Sequence, residues 1–504
     1  MTAFLLLVAT GSAVAGALRW LRVAQREHYL AWSVTPFARR WWLVDGPNAA
    51  LLSVAVVAAI LGATGLEPGW VWVLLACGVA VIGPRGLGMK GRTAPLAWTS
   101  RLRRLGAAAA GAWLLAAGGA VWVLGPGWLA VTLLAVPALV DVALAFMWPY
   151  EMRSGRQWVD QARLVLDQVQ PTVVAITGSY GKTTTKEYVK RLLSVHHHTV
   201  ASPASFNNRM GLARAINEHL VPGTEFFIAE MGTYGPGEIA DLVSWIPPRV
   251  GVITAIGPVH LERFGSLDRI VEAKSEILAG VEVAVLNVDE PLLAALADRL
   301  DVSRVIRCST TDENADVLVR ESATGLEVVV GGETVTVVPP LKLASNLACA
   351  IGVAVGLGLP VEEAGVALAD AATPQHRQSV YRSDAGFQIV DDTYNSNPAG
   401  AASALATLAS LTDGRRVVVT PGMVELGTEQ AGANRTFARQ VSEVADTLVI
   451  VGRTNLRALR QGASDAGLAV IVVPSRSEAV DWVKSSLGPN DAVLYENDLP
   501  DHYP

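Results

Sequence analysis

Residues 171–193 read PTVVAITGSYGKTTTKEYVKRLL. Thr172–Thr177 is a short β-branched and apolar run, of the kind that fills a buried parallel strand. Gly178, Ser179, Tyr180 and Gly181 make a turn, and Lys182, Thr183, Thr184 and Thr185 open a helix. Strand, glycine turn and helix start in that order form a phosphate cradle. The glycines let backbone N–H groups approach an anion, and the helix N-terminus adds its dipole. Lys182 is placed to reach the β- and γ-phosphates of a nucleotide, and Thr183 to offer its hydroxyl to Mg²⁺. The spacing differs from the common GxxxxGK[ST] loop, because Ile176 stands where the first glycine would be.

Outward from this loop the composition changes sharply near residue 150. The whole chain of 504 residues is 51% hydrophobic and 17% charged, against roughly a quarter charged in an ordinary soluble domain. The imbalance comes from the first part, which is mostly Ala, Leu, Val, Gly and Trp; the remainder reads as a mildly acidic α/β protein. This length accommodates three domains: a transmembrane helical domain at 1–150, a central ATP-binding α/β domain at 151–373 and a Rossmann-like C-terminal α/β domain at 374–504. A formal net charge of −6 argues against a nucleic-acid binder, which needs Lys and Arg clustered on one face. Cys77, Cys308 and Cys349 are far apart with no CxxC spacing, which fits a reducing compartment and no zinc site.

Apolar runs at Ala3–Leu18, Ala49–Leu66, Gly69–Ile82, Leu105–Leu124 and Trp128–Trp148 predict five membrane crossings. Arg19, Arg22, Arg26, Arg39 and Arg40 follow the first run. Arg85, Lys90, Arg92, Arg101, Arg103 and Arg104 separate the third from the fourth, and the other two connections hold no Lys or Arg. The positive-inside rule then places the N-terminus outside and everything after Trp148 in the cytoplasm of a multi-pass plasma-membrane protein. The basic loops set topology or also attract anionic lipid headgroups. Asp141 is the intramembrane acid, either a functional group or a residue in a helix-packing hydrogen bond or a wet groove.

Downstream, motifs follow in a fixed order. They are Ala204-Ser205-Phe206-Asn207-Asn208 with Gly211, Ala229-Glu230-Met231-Gly232, Thr254–Gly257 with His260-Leu261-Glu262 and Phe264-Gly265-Ser266, and Ala273-Lys274-Ser275-Glu276. Asn346, Arg377, Val390-Asp391-Asp392-Thr393-Tyr394-Asn395-Ser396-Asn397-Pro398 and Gly422-Met423-Val424-Glu425-Leu426-Gly427 come next. With the loop, this series resembles the Mur ligases, nearest their D-alanyl-D-alanine-adding branch. The resemblance implies an ATP-dependent ligase that joins a carboxylate to an amine through an acyl phosphate, in cell-wall precursor synthesis. It implies Mg²⁺ on Thr183 and Glu230, and a second Mg²⁺ on His260 and a carbamylated Lys274. It implies adenine at Asn346, the γ-phosphate at Arg377 and ribose at Asp391 or Asp392. Substrate contacts are implied at Asn207, Asn208, Tyr394, Asn395 and Asn397. Implied partners are a small-molecule or lipid-linked carboxylate, an amino acid or dipeptide, the membrane and cell-wall synthesis machinery.

Taken singly, these residues have plainer readings. Lys274 between Glu272 and Glu276 reads as a surface ion-pair lysine, His260 as a structural histidine, Asn346 as a helix N-cap, and Asp391-Asp392 before Asn-Pro as a turn. The chain also departs from the family pattern. No second nucleotide-binding unit precedes Val173, where Mur ligases carry a domain for the UDP-linked substrate. Asn434 stands where a histidine is expected, and Leu494–Pro500 lacks the usual Lys-Gly-Ser. These departures keep open a ligase for a lipid-linked or polymeric carboxylate, and a non-catalytic ATP-binding membrane scaffold; intact Lys182, Glu230, His260 and Lys274 argue against the scaffold. Alternation predicts a β insertion at Ala315–Val338 and C-terminal strands at Val417–Thr420, Thr447–Val451, Ala469–Val473 and Ala492–Tyr495. ATP is expected between the two soluble domains, whose closure assembles the site.

Overall fold

A computed structural model describes residues 1–89, 96–203, 206–322, 325–338, 344–369, 379–393, 397–499 and 503. Lys90, Arg92, Ala204, Ser205, Arg377, Tyr394, Asn395 and Ser396 lie outside the described residues.

The N-terminal apolar runs fold into α1 (Thr2–Arg26), α2 (Val34–Leu43), α3 (Gly46–Ala63), α4 (Gly69–Ile82), α5 (Ser100–Leu124), α6 (Leu129–Leu134) and α7 (Val136–Val169). Trp20, Leu102, Leu105, Trp113, Leu129 and Val140 form part of their shared core. Leu7, Leu115, Trp122 and Phe146 face outward, a coat that a water-bathed protein rarely leaves exposed. Among the described residues, α1, α3 and α5 are long and apolar enough to cross a membrane, and a fourth span requires joining Pro126–Leu134 to α7 across a 69° bend. At 14 residues, α4 reaches roughly 21 Å, short of about 30 Å of hydrocarbon. Length and composition therefore support three spans, or four with the bent pair, and leave the expected count of five without support.

Helix α2 belongs to no predicted run. Its Val34, Phe37, Ala38 and Trp41 are buried at helical spacing, which lays a short amphipathic helix against the bundle. Asp141 is fully buried and accepts from the Val34 and Thr35 amides at 3.1 and 2.8 Å and from the Thr35 hydroxyl at 2.6 Å. It caps the N-terminus of α2 from a different helix, satisfying amides that have no intrahelical partner. The packing reading of Asp141 therefore holds. Helix α7 has 34 residues and runs across residue 150 without a break. Its Val159, Ala162 and Leu166 enter the same core as Leu212 and Ile216 of the central domain.

Among the described residues the central sheet has nine strands: β1 (Thr172–Thr177), β2 (Thr199–Ala201), β3 (Phe226–Glu230), β4 (Val250–Ile253), β5 (Val283–Asn287), β6 (Arg304–Ser309), β7 (Val317–Ser322), β8 (Gly325–Val330) and β9 (Glu333–Val338). The order is β2-β3-β1-β4-β5-β6-β7-β8-β9. Along β1, Val173 and Ala175 enter one core, Val174 and Ile176 another, so both faces are covered, as parallel sheets require. Strands β7–β9 are the antiparallel insertion expected at 315–338. The C-terminal sheet contains β10 (Ser379–Arg382), β11 (Gln388–Asp392), β12 (Arg416–Thr420), β13 (Thr447–Val451), β14 (Ala469–Val473) and β15 (Ala492–Glu496), in the order β10-β11-β15-β12-β13-β14. The four expected strands are present. Absent from the sequence reading is the antiparallel β10–β11 pair, whose strands are short.

Candidate active site

Strand β1 ends at Thr177 and helix α8 (Lys182–Leu193) begins after the glycine turn. Gly178 and Gly181 have φ of +154° and +80°, a region that L side chains adopt only with strain. A Cβ on Gly181 would meet the Asn346 carboxamide, so Asn346, one of the nucleotide candidates, lies directly against the loop. The turn after β4 braces the other side. Ser179 donates to the Gly257 carbonyl at 3.1 Å, its oxygen accepts from the Gly257 amide at 2.9 Å, and its own amide donates to Ala255 at 2.8 Å. The Tyr180 ring occupies the space beside Gly257 that a side chain would need, and burial raises its phenol above the ordinary range. Thr184 is buried in the first turn of α8. Lys182 Nζ donates to the Gly178 carbonyl at 2.7 Å, across the turn that the anion would occupy.

Glu230, at the end of β3, gathers the next group. Its Oε2 accepts from Thr183 at 3.0 Å and pairs with Lys186 Nζ at 3.0 Å, while Oε1 accepts from Asn207 at 3.2 Å. Lys186 and Glu230 are 0% and 2% exposed, which makes this a buried ion pair. Sequence reasoning missed Lys186; the available signal was its position four residues after Lys182 on one helix face. The Thr183 hydroxyl and Glu230 carboxylate oxygens, 3.0 Å apart, match adjacent ligands of a Mg²⁺ octahedron, whose bonds of about 2.1 Å set neighbouring oxygens roughly 3 Å apart. The donor set fits a hard divalent cation.

Two other substrate candidates are engaged as caps. Asn208 accepts from the Gly211 amide at 2.9 Å and Asn397 from the Gly400 amide at 2.8 Å, each closing the start of a helix. Lys274 lies in the helix Leu267–Ser275 and is 3% exposed. Glu276 turns away to the Gly237 and Ala240 amides, and among the described residues Lys274 has no hydrogen-bond or ion-pair partner. The surface ion-pair reading therefore fails. Burial, with the nearby charge of Lys182, pulls the Lys274 amine well below the usual lysine range, which favours the neutral, nucleophilic form.

His260 sits at φ +53°, edge-on to Tyr234 at 4.9 Å, with Nδ1 hydrogen-bonded to Glu425 of the C-terminal domain. Burial alone would raise the Glu425 carboxyl. The His260 hydrogen bond and the charges of His260, Arg263 and Arg40 overcome that and bring it to about 2. Among the described residues no three His, Cys, Asp or Glu side chains converge as a metal group. The structure thus joins Thr183 to Glu230, and His260 to the facing domain.

In the C-terminal domain, Asp391 is buried and accepts from the Thr393 amide and hydroxyl at 3.3 and 2.7 Å. Asp392 pairs in register with Glu496, a residue the sequence reading did not single out. Glu496 is fully buried, and burial pushes its carboxyl to about 8, with the Thr420 hydrogen bond opposing and the Asp392 charge adding to the rise. Asn434 holds the Met423 amide and carbonyl, each at 2.9 Å. Asn455 and Asn497 hold Pro421 and Gly422 from either side, at 3.0 and 2.7 Å. The asparagine in place of the expected histidine is therefore part of a clamp on the Gly422 turn.

The N-terminal domain reaches both α/β domains here. Arg263 donates to Glu27 at 2.6 Å, Arg40 pairs with Glu262, and Arg453 pairs with Asp45. Tyr503 stands edge-on to Phe37 at 4.9 Å. A cavity of about 350 Å³ lies between Glu27, Trp32, Phe37, Tyr234, Arg263 and Glu425.

Residues 176–354 match the Mur ligase middle domain and residues 376–495 the Mur ligase glutamate ligase domain. The UDP-N-acetylmuramoyl-tripeptide--D-alanyl-D-alanine ligase of Mycobacterium leprae is 31% identical over 372 residues, covering 64% of this chain and 70% of the relative. The same-named enzyme of Escherichia coli is 30% identical over 314 residues, covering 58% and 67%. Among solved structures, MurF ligase from Thermotoga maritima in complex with ADP aligns with a TM-score of 0.58 at 25% identity, over 68% of this chain and 80% of its own. MurF from Acinetobacter baumannii shares the fold with a TM-score of 0.60 at 24% identity, over 68% and 77%.

Proposed function

The chain belongs to the Mur ligase family, and from that premise we propose that it is a membrane-attached ligase of the D-alanyl-D-alanine-adding type, working on cell-wall precursors. It is an ATP-dependent ligase. The observation that carries the site assignment is Glu230 buried beneath the phosphate loop, within 3.0 Å of both the Thr183 hydroxyl and Lys186.

In this reading a carboxylate oxygen bonds to the γ-phosphorus of ATP as the bond to the β–γ bridging oxygen breaks and ADP leaves. The amine nitrogen then bonds to the acyl carbon, the acyl–oxygen bond breaks, phosphate leaves, and the nitrogen gives up a proton. Two anions meet in the first step, so the site must supply positive charge that is oriented before reaction. Lys182 exchanges the Gly178 carbonyl for the nucleotide phosphates, and Arg377 adds a second cation. Asn346 borders the adenine, and Asp391 or Asp392 the ribose. Thr183 and Glu230 hold Mg²⁺, which when bound spreads the charge of the transferring phosphoryl group. Lys274, buried and inclined to the neutral amine, is suited to carbamylation, which would make it an oxygen donor beside His260. Asn207, already on Glu230, faces the substrate, and Tyr394 and Asn395 are further substrate contacts.

The N-terminal helices, in the same reading, anchor the protein in the plasma membrane, with the ligase domains in the cytoplasm. Support comes from Glu27, Arg40 and Asp45, in or beside basic segments, which all touch the ligase domains. A second reading keeps the chemistry and changes the carboxylate to one carried on a lipid. It is favoured by the helical domain standing where the family has its UDP-substrate domain.

The test is phosphate release by detergent-solubilised protein with Mg-ATP. UDP-muramyl-tripeptide plus D-alanyl-D-alanine is compared with a lipid extract plus amino acids. Release with the first pair, lost in Lys182→Ala, supports the first reading; release only with the lipid extract supports the second. Silence with both counts against catalysis on these substrates.

A further inference from the structure

A second cavity, of about 750 Å³, opens between Arg40 of α2, Glu262 of the central domain, and Gln430, Arg435, Asn455 and Arg457 of the C-terminal domain. Among its described lining residues the sole acid is Glu262, which Arg40 already pairs. Among the described residues Arg435 and Arg457 have no ion-pair partner. Two uncommitted guanidinium groups therefore face one cleft, which concentrates a positive field there, and their planar forks match phosphate geometry.

The cavity also has a defined depth. Arg453, four residues before Arg457 and in the bend that precedes its helix, pairs with Asp45 and lies 5.8 Å from the centre of the Trp41 ring. Asp45 is the N-cap of α3, one of the helices long enough to cross a membrane. The start of such a helix marks the headgroup layer, and Trp and Arg are the residues that settle there. On its other side the cavity is bounded by Leu261 and Glu262, which directly follow His260.

We propose that this cavity binds the phosphate or diphosphate of a membrane-borne molecule that carries the carboxylate to be ligated. The inference rests on the lipid-linked reading given above. The headgroup is held by Arg435 and Arg457, and the rest of the molecule continues past Glu262 toward the ligation site. The volume falls in the range of small-molecule sites and leaves room beyond a single phosphate.

The experiment uses the full chain in nanodiscs of neutral phosphatidylcholine, with a long-chain isoprenoid diphosphate or phosphatidylglycerol as probe and native mass spectrometry as readout. The isoprenoid diphosphate is expected to bind. Arg435→Glu with Arg457→Glu should weaken it at least about tenfold, the effect of losing one charge-assisted hydrogen bond, with thermal unfolding unchanged. The paired Arg→Gln variant should move in the same direction should charge reversal disturb folding. Undiminished binding in both variants overturns the proposal, and so does equal binding of phosphatidylglycerol, which would make this an ordinary anionic-lipid site. Lys182→Ala should keep the lipid while losing ADP. A wild-type chain that holds the lipid but not ADP refutes the ligase assignment and leaves the cavity assignment standing.

Discussion

Glu230 and Glu496 are both buried carboxylates at strand ends, and their partners differ. Glu230 has Lys186, Thr183 and Asn207 around it, so its charge is answered on every side. Replacing Lys186 with Met leaves that carboxylate without its cation, and loss of one partner of a buried pair costs about 3–5 kcal/mol. Thermal unfolding should show the loss, and nucleotide binding should weaken with it. Glu496 lies beside Asp392, with its carboxyl raised to about 8. A carboxyl raised on folding binds its proton in the native state across the window from its ordinary value near 4.5 up to about 8, where the unfolded chain has lost it. Stability must therefore fall as pH rises through that window. Glu496→Gln keeps the Thr420 contact without a titrating proton, so its melting temperature should change less between pH 6 and pH 8.5 than that of the wild type. A parallel decline in both proteins would refute the assignment.

Single side chains from distant parts of the chain stabilise whole elements. Asp141 in α7 caps α2, and Asp141→Ala should cost about 0.5–2 kcal/mol, the usual effect of losing a cap, read as a lower melting temperature in detergent. Arg19 does the converse at the end of α4, donating to the carbonyls of Ala80, Val81 and Gly83. Asn434 serves the Gly422 turn, and Asn434→Ala would leave the Met423 amide buried without its partner, while Asn455 still donates to the Met423 carbonyl at 3.0 Å. That should cost about 1–3 kcal/mol, visible as destabilisation in denaturant titrations. The length of the apolar runs gave α1, α3 and α5, because a full-length apolar run is its own signal. It did not give α2, whose ten residues mix Arg and Trp and are organised by the bundle beneath them and by Asp141.

At the scale of the whole molecule, the ion pairs Arg40–Glu262, Arg263–Glu27 and Arg453–Asp45 join the N-terminal domain to the two ligase domains. The last is 37% and 24% exposed at its two side chains, so it is worth no more than about 1 kcal/mol. Arg453→Asp alone should lower phosphate release less than tenfold, and Asp45→Arg added to it should restore part of the loss. The same contact should weaken as salt rises from about 0.05 to 0.5 M, because exposed pairs are screened. No rescue by the charge swap would mean that the domains are held together by other contacts.

Much of the site is legible in the order of residues alone. The glycine turn, Lys182, Thr183 and the strand that precedes them are local, and their chemistry follows from residue type and order within about a dozen positions. The strands of the C-terminal sheet and the insertion at 315–338 are legible for the same reason, since alternation is a short-range property. Lys186, Glu496, the caps made by Asp141, and the clamp that includes Asn434 are not. Each depends on a partner brought close by folding, such as Glu230, Thr420 with Asp392, the start of α2, and Met423, and nothing in the spacing of the sequence encodes that approach. Lys274 makes the division plain. Its sequence neighbours are acids, which describe a surface lysine, but the packing of its helix turns it inward, away from Glu276 and toward the charge of Lys182. The sequence by itself determined the chemistry available to the chain. The tertiary structure decided which groups meet, because only burial and contact fix the charge that each side chain carries.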